Sequence, residues 1–144
     1  MLKVKEMLQG ERIALLLRGG YGHLGCSRDN HPYVVPMHYA FDSQALYFFT
    51  TDGTKTEFMA ANREVCFQVE EVTDARRWRS VMVTGRAERI TGAEEMERAM
   101  QLITERNPTL TPALNETNIG AWKRSSKVVL YRVWPEAIYG RHTI

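Results

Sequence analysis

Between His31 and Asn62 the chain reads HPYVVPMHYAFDSQALYFFTTDGTKTEFMAAN, and this succession of patterns restricts the fold more than any other stretch. Tyr33 to Phe41 is apolar and aromatic but interrupted by Pro36. Ala45 to Thr50 is an unbroken β run holding Tyr47, Phe48 and Phe49. Asp42-Ser43-Gln44 between them has turn chemistry, so the two runs are expected to form a hairpin. A helix follows at once. Thr54 and Glu57 stand at capping-box spacing, which predicts a helix from Thr54 to Ala61 with Asn62 as its stop.

The start of that helix has two readings. Its first N–H groups are unpaired and partly positive, and Lys55 adds a full charge beside the hydroxyls of Thr50, Thr51 and Thr54. Such a helix N-terminus suits an anion, phosphate above all. The plainer alternative is a capped surface helix with a solvated lysine. Pro36 constrains the other side of the stretch. It donates no ladder hydrogen bond, so it belongs on an edge or at a bulge. Backbone groups around Pro36, Met37 and His38 are then open to something other than a strand, and the edge of a flat heterocycle would suit them. Alternation places Pro36, His38 and Ala40 on one face and Val35, Met37, Tyr39 and Phe41 on the other. His38 is a ligand contact on one reading and a buried structural histidine on the other.

The rest of the chain is read in the same terms. Leu2 to Gln9 is expected to form a short amphipathic helix ended by Gly10, and Arg12 to Arg18 (RIALLLR) a strand closed by Gly19-Gly20. Tyr21 to Ser27 reads as a strand. Glu64 to Val72 alternates, with Val65, Phe67 and Val69 facing one way. Trp78 to Ile90 is a long strand with a bulge or bend at Gly85. Thr91 and Glu94 repeat the capping-box spacing before a helical stripe of Met96, Ala99, Met100 and Ile103, and Asn107-Pro108 ends it. Lys127 to Val133 is a last strand, and Trp134-Pro135 turns into an extended tail, Ile138 to His142. Six or seven strands with hairpin-length links and a few short helices predict a mainly β fold. The expected form is an antiparallel barrel flanked by helices, in one domain spanning residues 1–144.

Composition excludes several function classes. A net charge of +2 is too small to announce a nucleic-acid partner. No apolar run approaches a membrane span, and the N-terminus lacks a signal-peptide core. The two cysteines, Cys26 and Cys66, form no CxxC pattern and read as reduced thiols of a cytoplasmic protein. The four histidines lack metal-ligand spacing, so no metal is expected. No nucleophile elbow, GxGxxG or P-loop is present. Arg76-Arg77-Trp78-Arg79-Ser80 mixes basic and aromatic groups, which suits a nucleic acid, a phosphate or a solvated loop.

In order, VVPMHY, LYFFTT, GTK entering a helix, AANREVCFQVE and WRSVMVTGRAERI resemble the FMN-binding split β-barrel superfamily of the pyridoxamine 5′-phosphate oxidases. The similarity is greatest to its nitroimidazole-resistance-type branch. It covers about residues 10 to 140, and Pro32 to Ile90 carries nearly all of it. The resemblance implies that Pro36, Met37, His38 and Tyr39 line the isoalloxazine ring and that Thr50, Thr51 and Lys55 hold the phosphate. It implies that Ser80 and Val81, with Arg79 beside them, reach the ribityl chain or phosphate. It also implies a homodimer with a flavin at the interface, where Trp122 and Arg124 reach the partner's flavin. His38 matches the histidine thought functional in the nitroimidazole-type branch.

Pyridoxamine-phosphate oxidases carry an Arg-x-His signature near the C-terminus. Here Arg141 and His142 are adjacent, so vitamin B6 oxidation is not expected. The resemblance implies an FMN oxidoreductase acting on a small organic substrate with electrons from NAD(P)H. The cofactor carries the electrons, so few acid–base residues are required. Two other readings stand beside it, because fold does not fix function. One is a heme- or deazaflavin-binding module, with His38 or His23 as an axial ligand for heme. The other is a nucleic-acid-binding barrel using Arg76–Arg79.

Overall fold

The alternation over Glu64–Val72 places Val65, Phe67 and Val69 in the interior and leaves Cys66, Gln68 and Glu70 on the outer face. The computed structural model describes residues 1–107 and 128–144. Among them are eight strands: β1 (Val4–Glu6), β2 (Tyr21–Arg28), β3 (His31–His38), β4 (Ala40–Phe41), β5 (Leu46–Thr51), β6 (Glu64–Asp74), β7 (Arg77–Ile90) and β8 (Val128–Thr143). Three helices accompany them: α1 (Gln9–Arg18), α2 (Thr54–Ala61) and α3 (Ala93–Arg106).

The strands form one antiparallel sheet in the order β3-β2-β6-β7-β8-β5-β4, with β1 added on β8. Its end strands, β3 and β4, are separated in sequence by Tyr39 alone. The backbone itself therefore joins the two ends and closes the barrel at Tyr39. Beyond that point, among the described residues, β3 pairs only with β2, and β5 lies across an opening from it. This is a split β-barrel. Pro32 and Pro36, of the same parity on β3, lack the N–H that a further strand would require, so the free edge is protected from pairing.

The barrel is filled by aromatic side chains. Phe48 stacks on Tyr131 at 5.6 Å and on Phe67 at 6.4 Å, and Tyr39 meets Phe67 edge-on at 5.1 Å. Burying each such ring contributes about 1.5–3 kcal/mol. Outside the barrel, Ala99 and Ile103 of α3 pack on Ala40, Ile90 and Leu130 in a second core. Ala40 is thus on the outer face, as alternation requires, yet fully covered.

Three expectations about local structure are corrected. Leu2–Gln9 is not a helix: Val4–Glu6 is a strand paired with Arg141–Thr143, and the helix begins at Gln9. Arg12–Arg18 belongs to α1 and is not a strand. Glu11 accepts the Leu8 N–H at 3.1 Å to start that helix, and Leu15 and Leu16 are fully buried on its inner side. The tail does not turn at Trp134-Pro135. β8 runs through it, with Pro135 opposite Gly85 where the β7–β8 register shifts, so Gly85 marks the expected bulge. The count of eight strands exceeds six or seven because β1 and β4 are only three and two residues long.

The caps also differ from expectation. Gly53, not Thr54, is the N-cap of α2, and the Thr56 hydroxyl accepts the Gly53 N–H at 2.8 Å. Gly92, not Thr91, caps α3. The turn itself forms, with Asp42 Oδ1 accepting the N–H groups of Gln44 and Ala45, but the expected hairpin is corrected. Only Ala40–Phe41 pairs across it, with Leu46 and Tyr47, and the rest of the first run pairs with β2 as β3.

Candidate functional site

The opening of the barrel forms a cleft of about 380 Å³. One wall is the free edge of β3, with Val35, Pro36, Met37 and His38, and Tyr21 at the start of β2. The opposite wall is Phe49, Thr50 and Thr51 of β5, and Lys55 stands at the end where α2 begins. Its volume falls within the roughly 300–1,000 Å³ typical of small-molecule sites.

At the α2 end of the cleft, the N–H groups of Thr54, Lys55 and Thr56 precede the first intrahelical bond, which runs from the Glu57 N–H to the Gly53 carbonyl at 3.0 Å. The dipole of α2 adds partial positive charge there, and Lys55 forms no ion pair among the described residues. Thr50 and Thr51 point to opposite faces of β5. Thr50 is buried and gives its hydroxyl proton to the Thr51 carbonyl at 3.3 Å. Val35, Met37 and Phe49 add apolar surface to the cleft walls.

His38 stands at the rim in a set of contacts that sequence reading did not find. Its ring meets Tyr21 edge-on at 5.3 Å, and Tyr21 meets His23 edge-on at 5.9 Å. His38 Nδ1 lies 3.3 Å from Asn107 Oδ1, and His23 Nδ1 lies 3.3 Å from Gln68 Oε1. Gln68 donates in turn to the Ser80 hydroxyl at 3.0 Å. Sequence reading took Asn107 only as the stop of α3 and Tyr21 only as the start of a strand. The adjacent Gly19-Gly20 was the available signal, because both glycines make room for this junction. A Cβ at Gly19 would lie 2.5 Å from the Tyr39 hydroxyl, and one at Gly20 would lie 2.5 Å from Asn107 Oδ1.

The expected site residues fall into three groups. Pro36, Met37, His38, Thr50, Thr51 and Lys55 are brought together around the cleft. Arg79, Ser80, Val81 and Tyr39 are not among its walls. Val81 and Tyr39 are fully buried in the core, and Ser80 belongs to the His23–Gln68 network on the outer face. Arg79 lines a separate surface hollow with Trp78 and Thr143, where it lies 3.8 Å from Glu71. Trp122 and Arg124 lie outside the described residues.

Two arginines of the Arg76–Arg79 stretch, Arg77 and Arg79, face carboxylates. Arg77 pairs with Asp74 at 2.9 Å, and Glu71 faces both Arg18 and Arg79. Cys26 points inward and Cys66 outward on paired strands, and both are free thiols. Burial raises the Cys26 pKa, as does Cys66, against the opposing charge of Lys55. No helix among the described residues is long and apolar enough to cross a membrane.

This architecture is found in known proteins. The chain resembles an FAD-binding protein from Mesorhizobium loti with a TM-score of 0.79, covering 100% of this chain and 99% of that one at 29% identity. A protein of the 5-nitroimidazole antibiotic resistance type from Bacteroides thetaiotaomicron shares the fold. It gives a TM-score of 0.78 over 99% of this chain and 89% of that one, at 22% identity. In sequence, an uncharacterized protein of Rhizobium meliloti is 39% identical over 83 residues, 58% of this chain. The matched stretch spans only 55% of that relative's length. The sequence model of the family described as pyridoxamine 5′-phosphate oxidase matches residues 9–142. With that match running nearly end to end on a split barrel, the chain belongs to the pyridoxamine 5′-phosphate oxidase family.

Proposed function

We propose that the cleft binds flavin mononucleotide and that the protein is a flavin-dependent oxidoreductase. It takes electrons from NAD(P)H and passes them to a small organic substrate. The observation that carries this reading is the joining, in one cleft, of the free β3 edge to Lys55 at the start of α2. Lys55 and the first-turn amides suit a phosphate, and the Thr51 hydroxyl adds a donor nearby. Val35, Met37 and Phe49 offer apolar walls to a flat ring, while the β3 backbone beside Pro36 offers it polar edge contacts.

One lysine and one helix N-terminus make a site for a single phosphate group. That favours the mononucleotide over a dinucleotide, although the Mesorhizobium loti protein is described as FAD-binding. When bound, the flavin supplies the electron transfer itself. The chain's part is to grip the phosphate, wall the ring and keep water from one side. A homodimer is part of the proposal. Met82 and Tyr139, directly paired across β7 and β8, are exposed on the outer face and make an apolar patch for a second copy. The free thiols suit the cytoplasm.

The test is the absorbance spectrum of the purified protein, followed by chromatography of what denaturation releases. Flavin bands and released FMN are expected. A colourless protein that takes up no flavin overturns the reading; released FAD overturns the mononucleotide but leaves the flavin class. Anaerobic NAD(P)H should bleach the flavin bands, and sizing should give a dimer.

A further inference from the structure

We propose that Asn107 is a positioning residue that holds His38 in its Nδ1–H tautomer, leaving Nε2 as a proton acceptor at the cleft wall. The inference rests on the reading of the cleft as a ligand site, but its chemistry is set by contacts within the chain. Asn107 is buried at the end of α3. Its amide nitrogen lies 3.0 Å from the Tyr39 carbonyl and 2.9 Å from the Ile103 carbonyl. Both are acceptors only, so the group facing them must be the NH₂. The oxygen is then fixed as Oδ1, and Oδ1 can only accept. The neutral His38 ring 3.3 Å away must therefore carry its proton on Nδ1.

The arrangement is built with little freedom. The Tyr39 N–H donates to the Gly20 carbonyl at 3.0 Å, and Asn107 occupies the space a side chain at Gly20 would need. Asn107 thus ties the end of α3 to the point where β3 passes into β4, one residue from His38. Rotating its amide would leave two buried carbonyls facing an oxygen, so the orientation is enforced by backbone groups that cannot change role. His38 Nε2 has no partner among the described residues. His38 lines the cleft, so a ligand or water that reaches its Nε2 meets an acceptor. If Nε2 takes a proton from an N–H or O–H group there, the resulting imidazolium keeps its Nδ1–H bond to Asn107. The ring need not rotate or tautomerise to act. The ligand class that fits is one presenting an N–H or O–H donor to this wall.

Long-range ¹H–¹⁵N correlation spectra of the flavin-free protein, taken about two units above the ordinary histidine pKa, test the proposal directly. His38 is assigned by the signals that vanish in His38→Gln. The wild type should show Nδ1 protonated and Nε2 bare, and Asn107→Ala should shift the population toward Nε2–H. A wild-type ring protonated on Nε2 overturns the proposal, as does an unchanged tautomer in a folded Asn107→Ala. If that variant does not fold, the wild-type spectrum alone decides. Because no flavin is present, a protein that binds none but shows the Nδ1–H ring would sink the proposed function and leave this inference standing.

Discussion

The hydroxyl of Tyr39 donates to the Leu16 carbonyl at 2.8 Å, tying the residue that closes the barrel to the last turn of α1. Tyr39 is fully buried, and burial is the main cause that pushes its phenol pKa well above the ordinary tyrosine value, with Glu71 adding to it. The group stays a neutral donor at any pH the fold experiences. Tyr39→Phe keeps the ring against Phe67 but leaves a buried helix-end carbonyl without a partner. The expected loss is about 1–3 kcal/mol of stability in urea denaturation. An unchanged midpoint would mean that water replaces the hydroxyl.

At the β7–β8 bulge, a Cβ built on Gly85 would collide with the Trp134 carbonyl, which is backbone and cannot swing aside. Gly85→Ala should therefore cost about 1–3 kcal/mol by forcing the two long strands apart. The expected readout is a lower melting temperature with barrel content retained in circular dichroism. A neutral result would show that the register can shift locally.

How much of this was legible in the sequence depended on whether a local pattern had one meaning. The Val65–Val69 alternation and the Asp42 turn each admit one structure, and each is observed. RIALLLR does not. Seven residues with apolar positions in succession fit a buried strand or a buried helix equally, and only the Glu11 cap and the partner it packs against decide. Thr54 stood at capping-box spacing, but the helix starts one residue earlier on Gly53, whose N–H is taken by the Thr56 hydroxyl. The cleft residues Pro36 and Lys55 could be singled out because proline and a helix start are local signals. Asn107 could not, since its role depends on a contact with His38 across 69 positions of sequence. Val81 could be placed on a strand and Tyr39 in an extended apolar run, but neither could be assigned to core or cleft without the barrel's closure.

Arg18 and Glu71 make a two-pronged bond, Nε to Oε2 at 2.8 Å and NH2 to Oε1 at 2.7 Å, between α1 and β6. The hydrogen bond from Arg18 is the main reason the Glu71 pKa is lowered, with charge from Arg18 and Arg79 adding to it. A folded-state pKa below the unfolded one means the pair stabilises fully above the unfolded carboxylate pKa. That contribution is lost as pH falls through the lower, folded value. Both side chains are about half exposed, so the gain is at most about 1 kcal/mol. Glu71→Gln should be slightly less stable than wild type at neutral pH, and the gap should close on acidification. A gap that persists in acid would point to packing and not charge.

Lys55 separates the proposed phosphate site from a merely capped helix. It makes no ion pair among the described residues, so removing it breaks no salt bridge there. Lys55→Ala should leave the melting temperature of the flavin-free protein within experimental error. Its effect should appear in FMN affinity, as the loss of one charge-assisted phosphate contact. That loss is about 1.5–3 kcal/mol, or roughly ten- to 150-fold in Kd. Lys55→Arg should recover part of it, because charge is restored with a different reach. Riboflavin, which lacks the phosphate, provides the control: its affinity should be nearly the same for wild type and Lys55→Ala. Equal losses for both ligands would place Lys55 against the ring, and no loss for either would remove it from the site.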